Sequence, residues 1–377
     1  MKHICIAFLI ACACFVSAAW GQQPAAASLN NWTEFHRTDM TRYNPYEDTL
    51  NIHNVGQLEM KWSYVNQALG YGCSGAAIAN GVVYVGFGNG EEVALNATTG
   101  VKLWSYQTGN AVYSYPAVAD GAVYFSSNDN NVYALNAITG HKLWSYTTGN
   151  PVFSAPAVAD GVVYVGSEDN KVYALNATTG AKLWSYTTGD AVDSSPAVVG
   201  GVVYVGSNDN NVYALNASTG AKIWSYTTGS IVYSSPAVAN GVVYIGSQDN
   251  KLYALDASTG TLLWSYTTGG LVNSTPALAN GVVHFASDDF YLYALHASSG
   301  ALLWSYYQGN NSDGGVAEAN GVVYVTANYG FTTALNANTG AKLWSYETTL
   351  PLQPSVVDGV LYIGDQSNST MYAFGLN

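Results

Sequence analysis

Cys73, Tyr113, Phe153, Asp193, Tyr233, Asn273, Asp313 and Gln353 follow one another at a constant interval of forty residues. Nearly everything around them is repeated from one interval to the next, so this series marks where the copies disagree. Aromatic faces interleaved with carboxylates and carboxamides can hold a sugar or another small molecule by stacking and hydrogen bonding. Asp193 and Asp313 lie three copies apart and could face one another across an axis. A second departure is concentrated in two loops. Asn208-Asp209-Asn210-Asn211 becomes Asp288-Asp289-Phe290-Tyr291 and then Asn328-Tyr329-Gly330-Phe331, and Tyr307 replaces a nearby Thr. Exposed aromatics such as Phe290, Tyr291, Tyr329 and Phe331 suit a protein or glycan partner, because they bring large contact area at small entropic cost.

Motifs for catalysis are missing. There is no Gly-x-Ser-x-Gly elbow, no phosphate-binding loop and no recurring His-Asp-Ser set. The recurring Ser-x-Asp-Asn loops offer one carboxylate each in a tight hairpin, which is turn chemistry rather than a calcium site. His284 and His296 replace a Tyr and an Asn without a third ligand nearby in sequence, and read as hydrogen-bonding substitutions rather than a zinc site.

The elements that position these residues follow from the repeat. Trp62, Trp104, Trp144, Trp184, Trp224, Trp264, Trp304 and Trp344 mark eight copies, forty residues apart after a first step of forty-two. In the third copy, the runs "FSAPAVA", "VVYVGS", "KVYALNA" and "AKLWSYTT" are separated by turn signals at Asp160-Gly161, Glu168-Asp169-Asn170 and Thr179-Gly180. Four strands joined by three hairpins, at a period near forty, spell a propeller blade. The eighth copy ends at Asn377 without a Trp strand, while "MKWSYV" at residues 60–65 is a Trp strand without the other three. The expectation is therefore an all-β, eight-bladed propeller of four-stranded antiparallel blades, the last closed by the N-terminal strand.

Composition narrows the partners. Charged residues make up 9% of the chain and the formal net charge is -13, which excludes the basic patches that nucleic acid or an anionic membrane surface requires. Residues 1–21 read as a secretory signal, with an apolar run from Ile4 to Val16 that is too short to span a bilayer. Leu9-Ile10-Ala11-Cys12 resembles a bacterial lipobox, so lipidation at Cys12 is the alternative fate of that segment. Removal of the signal would leave Cys73 as the one thiol, with no disulfide framework. The domain reading is 1–21 signal peptide, 22–59 lead-in and 60–377 a single propeller, delivered to a secreted, periplasmic or envelope location.

The recurring "ALNATTGAKLW" resembles the tryptophan-docking repeat of pyrroloquinoline-quinone-type propellers. Upstream, "NWTEFHRTDMTRYNPYEDTLNIHNVGQLEMKWSY" is similar to the lead-in of quinoprotein dehydrogenases. That family also contains non-enzymatic propellers, including the lipoprotein of the outer-membrane barrel-assembly machinery, so the resemblance implies the fold and leaves the activity open. The dehydrogenases carry a vicinal disulfide, a calcium ion, an aspartate base and cations around the quinone, and none of these maps onto matching positions here. The resulting expectation is a monomeric, non-catalytic scaffold that binds a protein or glycan at its channel mouth, with no cofactor. A reduced dehydrogenase using pyrroloquinoline quinone and calcium, or a sugar-binding propeller, is the alternative.

Overall fold

Each blade begins with a short inner strand and doubles back at a two-residue hairpin whose residues both have positive φ, as at Asp160 (49°) and Gly161 (74°). This mirror-image turn matches the twist of the flanking strands, and Asn, Asp and Gly reach it most cheaply. The computed structural model describes residues 31–36, 40–66, 72–311 and 315–377. They form eight antiparallel sheets of four strands, one per blade, and the sheet of blade seven gains a fifth strand from the lead-in. Blade three shows the plan, with Ala157–Ala159 innermost, then Val162–Ser167, Lys171–Asn176 and the outer Lys182–Thr187.

The third hairpin of each blade is a docking point for its neighbour. Asn176 Oδ1 accepts the Thr178 and Thr179 amides at 3.0 and 2.9 Å and leads into Gly180 at φ 70°. Trp144 of the preceding blade packs on that glycine so closely that a Cβ there would fall 2.7 Å from the indole ring. The same indole donates to the Ala177 carbonyl at 2.8 Å. Burying a Trp contributes on the order of 4–6 kcal/mol as an upper value, so each of these contacts adds substantially to the apolar packing between blades.

Ring closure follows the expectation, with the strand Glu59–Val65 lying antiparallel to Thr370–Gly375 and pairing Trp62 with Ala373. It begins one residue before the boundary read from sequence. In blade eight the third hairpin of the other blades is replaced by the end of Thr370–Gly375 on one side and the entry of the lead-in on the other. The 3-10 turn Val55–Gln57 fills that gap, and Trp344 donates to the Leu58 carbonyl at 3.1 Å.

The lead-in does more than the sequence foretold. It runs through the axis of the ring, where the inner strands present unpaired edges. Trp32 exchanges backbone hydrogen bonds with Ile78 of blade one, and the Thr33 carbonyl accepts from Val118 of blade two. The Glu34 carboxylate accepts from Val158 of blade three. Met40, Thr41 and Arg42 carbonyls then accept from Val238, Leu278 and Glu318 of blades five, six and seven, and Asn44 Nδ2 donates to Val356 of blade eight. Tyr43–Asn44 is the strand added to blade seven, parallel to Ala317–Ala319.

Candidate binding face at the channel mouth

The mouth is the face bearing the blade-to-blade connections and the second hairpins. Ser154 Oγ bonds both ways with Gly166, donating to its carbonyl at 2.9 Å and accepting its amide at 2.8 Å, which pins the connection carrying Phe153 to the second strand. Ser194 Oγ accepts the Gly206 amide at 3.0 Å and so positions Asp193. Neighbouring connections are tied together by the Ala155 amide donating to Ser195 Oγ and the Ser195 amide to Ser235 Oγ.

The second hairpins are fastened by a carboxylate clamp. Asp209 Oδ2 accepts the Gly189 amide and the Tyr213 hydroxyl, each at 2.6 Å. The same three-way contact recurs around Asp129, Asp169, Asp249 and Asp289. These aspartates therefore have a structural occupation in the turn. Blade seven has Tyr329 and Thr333 where the clamp's Asp and Tyr would stand, so carboxylate and phenol are replaced together.

Tyr113, Phe153, Asp193 and Asn273 are half-buried around the mouth, and Tyr233 is 48% exposed. Asp193 accepts from Asn208 Nδ2 at 2.7 Å. Burial holds its carboxyl above the usual range against that hydrogen bond, with Asp190 adding to the rise. Glu168 is likewise raised, by burial and then by Asp193. Asn273 links blades five and six, accepting from Gln248 at 3.1 Å and donating to Asp288 at 3.2 Å. Two members of the series lie deeper than their spacing suggests. Cys73 is fully buried, with burial raising its thiol pKa, and Gln353 is 8% exposed. Asp313, and with it the pairing across the axis, falls outside the described residues.

Beneath the mouth the axis is filled. Arg42 is completely buried, donating from Nε to the Val316 carbonyl at 2.7 Å, from Nη2 to Pro354 at 3.0 Å and from Nη1 to Phe35. Its guanidinium lies 5.3 Å from the Trp32 ring and 5.2 Å from Phe35. Tyr115 reaches across to accept the Gln353 amide at 2.8 Å and meets Phe35 edge-on. Burial, then Arg42, pushes the His36 pKa down to about 3. This plug of Trp32, Phe35, Arg42 and Tyr115 was not anticipated. The signal for it was the number of inner-strand edges that needed hydrogen-bonding partners.

The aromatic loops of blades six and seven are exposed, with Tyr329 at 70%, Phe331 at 48% and Phe290 at 40%. Tyr291 stands 5.3 Å from Tyr307, ring to ring. Phe290 has φ 74° and Tyr329 φ 51°. The residues corresponding to Phe290 in blades two to five are Asn130, Asn170, Asn210 and Asn250, with φ of 67° to 71°. Asparagine tolerates this left-handed conformation; for a bulky side chain it costs roughly 1–2 kcal/mol. His284, by contrast, is structural. Its Nε2 lies 3.4 Å from the Ala337 carbonyl, as Tyr244 Oη does at 3.1 Å from Ala297, and its Nδ1 is 3.0 Å from the buried Glu318.

The europium-containing methanol dehydrogenase superimposes with a TM-score of 0.81 at 14% identity, over 92% of this chain and 98% of that one. Quinohemoprotein alcohol dehydrogenase from Comamonas testosteroni gives 0.78 at 18% identity, over 92% and 80%. BamB from Moraxella catarrhalis gives 0.73 at 17% identity, over 85% and 100%. At these identities the likenesses speak to the fold. No curated protein matches the chain at a significant level. A sequence model described as outer membrane protein assembly factor BamB matches residues 48–153, 131–232 and 228–348. By that match across most of its length, the chain belongs to the BamB-like family of pyrroloquinoline-quinone-type β-propellers.

Proposed function

We propose that this chain is a non-catalytic scaffold of the cell envelope, secreted or periplasmic, that holds a protein partner against the channel-mouth face of blades six and seven. The observation that carries this reading is the backbone cost at Phe290 and Tyr329. Tyr329 is 70% and Phe290 40% exposed, so packing within the fold offsets that cost only in part. A family named for an assembly factor supports the same reading.

Pyrroloquinoline quinone does not fit the described residues. A tricarboxylate needs several cations together, whereas the Arg42 guanidinium is committed to three backbone carbonyls, Lys171 lies 3.4 Å from Asp169, and Lys251 stands two blades away from Lys171. Around the mouth, Asp193, Asn208 and Gln353 each retain a buried oxygen without a hydrogen-bond donor. A glycan is the second reading, favoured by the exposed Tyr233 in the blade next to the Asp193–Asn208 pair.

The test is capture from envelope extracts by immobilised protein, compared with a variant carrying Ser at positions 290, 291, 329 and 331. Loss of a defined protein partner supports the scaffold. Equal capture by both proteins overturns the face assignment, and binding on a glycan array that is lost in Tyr233→Ala supports the second reading.

A further inference from the structure

Outer strands of propeller blades are open edges, and natural sheets guard such edges with charge, above all lysine. Here Lys102, Lys142, Lys182, Lys222 and Lys342 open the outer strands of blades one to four and of blade seven. Blades five, six and eight depart from this, with Leu262, Leu302 and Met60 at that position, though blade eight has Lys61 next to it. In blade six the outer strand Leu302–Tyr307 is the last in its sheet, with no partner on its far side among the described residues. Leu302 and Leu303 are half exposed, and the strand ends in Tyr307, 57% exposed, where blades two to five have Thr. Tyr307 packs against Tyr291 with the rings tilted at 58° and so joins the edge to the aromatic loops above it. Blade six alone combines a missing lysine with an added aromatic.

We propose that the outer strand of blade six accepts an extended strand from the partner protein, which pairs with its backbone and reaches the aromatic loops at the Tyr307 end. This deepens the scaffold reading and rests on it. The register shift between Ala294 and Leu295, which every other complete third-to-fourth strand pair also shows, keeps pairing away from the first residues of the strand. Pairing therefore runs from Trp304 to Tyr307, with Leu302 and Leu303 as an apolar shoulder. Main-chain hydrogen bonds supply affinity in such additions, and alternate side chains supply selectivity. The incoming strand alternates apolar and basic residues. From Leu271 to Gln308 the only charged side chains are Asp288 and Asp289, and the chain as a whole carries -13, so a basic strand is the complementary one and a second copy of this acidic chain is not.

The probe is a short capped peptide of alternating valine and lysine, titrated into the full-length protein and followed by calorimetry. Its control is the same peptide N-methylated on alternate amides, which keeps the charge and removes the main-chain donors. The expected result is saturable binding of the first, with affinity at least about tenfold weaker for the second and for Leu302→Lys with Leu303→Lys. Moving the features into blade four, with Lys222→Leu and Thr227→Tyr, should add a second site. Equal binding of both peptides, or unchanged binding in the double-lysine variant, overturns the proposal. So does concentration-dependent dimerisation that the double-lysine variant abolishes. If a natural partner is captured through Phe290 and Tyr329 regardless of Leu302 and Leu303, the edge fails while the scaffold stands.

Discussion

Trp344 and Leu58, 286 residues apart in sequence, are joined by an indole N–H donating to a backbone carbonyl at 3.1 Å. The seven other repeat tryptophans donate to the third hairpin of the next blade, as Trp304 does to Ala337. At the closing seam the lead-in supplies that carbonyl instead, so both sides of the eighth blade depend on the N-terminal segment.

Trp62 carries the other half of the seam, donating to Ala97 at 2.9 Å while packing on Gly100. Trp62→Ala should cost about 3–5 kcal/mol, the usual loss for a large aromatic truncated in a packed interface. Met60→Ala on the same strand, with its side chain half exposed, should change stability by less than about 0.5 kcal/mol. Denaturant unfolding of both variants checks the contrast, and equal losses would contradict a closing role for the indole.

Phe290→Asn should stabilise the protein by roughly 1 kcal/mol, because it restores the residue that blades two to five place at this left-handed position. The same change should weaken partner capture. Thermal unfolding and capture are read on one variant, and a destabilised Phe290→Asn would show that the phenyl ring packs usefully within the fold.

Glu92 occupies a site that is valine in blades two to four, fully buried, with neither carboxyl oxygen hydrogen-bonded. Burial raises its pKa well above 4.5, so the folded state binds a proton that the unfolded chain releases. Its contribution is therefore most favourable below the unfolded value and falls as pH rises toward the folded one. Glu92→Val should raise the melting temperature at neutral pH and flatten this decline above pH 4.5, as measured by calorimetry across pH.

His36 acts in the opposite sense. Its pKa falls from 6.5 to about 3 through burial and the neighbouring Arg42, so the unfolded chain takes up a proton that the folded state refuses. Stability from this group is complete above pH 6.5 and is lost as pH drops toward 3. His36→Phe should remove that acid limb of the stability profile.

Asp209→Ala should cost about 1–2 kcal/mol by removing the carboxylate from the part-buried Tyr213 hydroxyl and from the solvent-exposed Gly189 amide, and chelators should leave the wild-type melting temperature unchanged. A chelator-sensitive transition would show that these loops bind metal after all.

Blade number, strand order, hairpin chemistry and closure were legible because each is written locally and then repeated. Asp160-Gly161 announces its turn without reference to anything distant. The lead-in was not legible, since Arg42 and Tyr115 take their roles from strands far away in the chain, and no periodicity records that. The mouth series was half legible. Spacing placed Tyr113, Asp193 and Tyr233 around the opening, but depth depended on the plug below, which draws Gln353 inward beside Tyr115. Phe290 stood out by type, while its meaning came from a backbone angle that composition does not carry.

An open array of repeats behaves almost as a one-dimensional system, in which each unit feels only its neighbours and the ends fray first. The lead-in threaded through the axis removes this simplicity, because it bonds to the inner edges of blades one, two and three and of blades five to eight. No blade is then terminal, and melting any of those seven also pulls on a strand shared with the rest. Forty-residue units that could nucleate singly are thereby bound into one cooperative body, and the segment synthesised before any blade is the last to find all its partners.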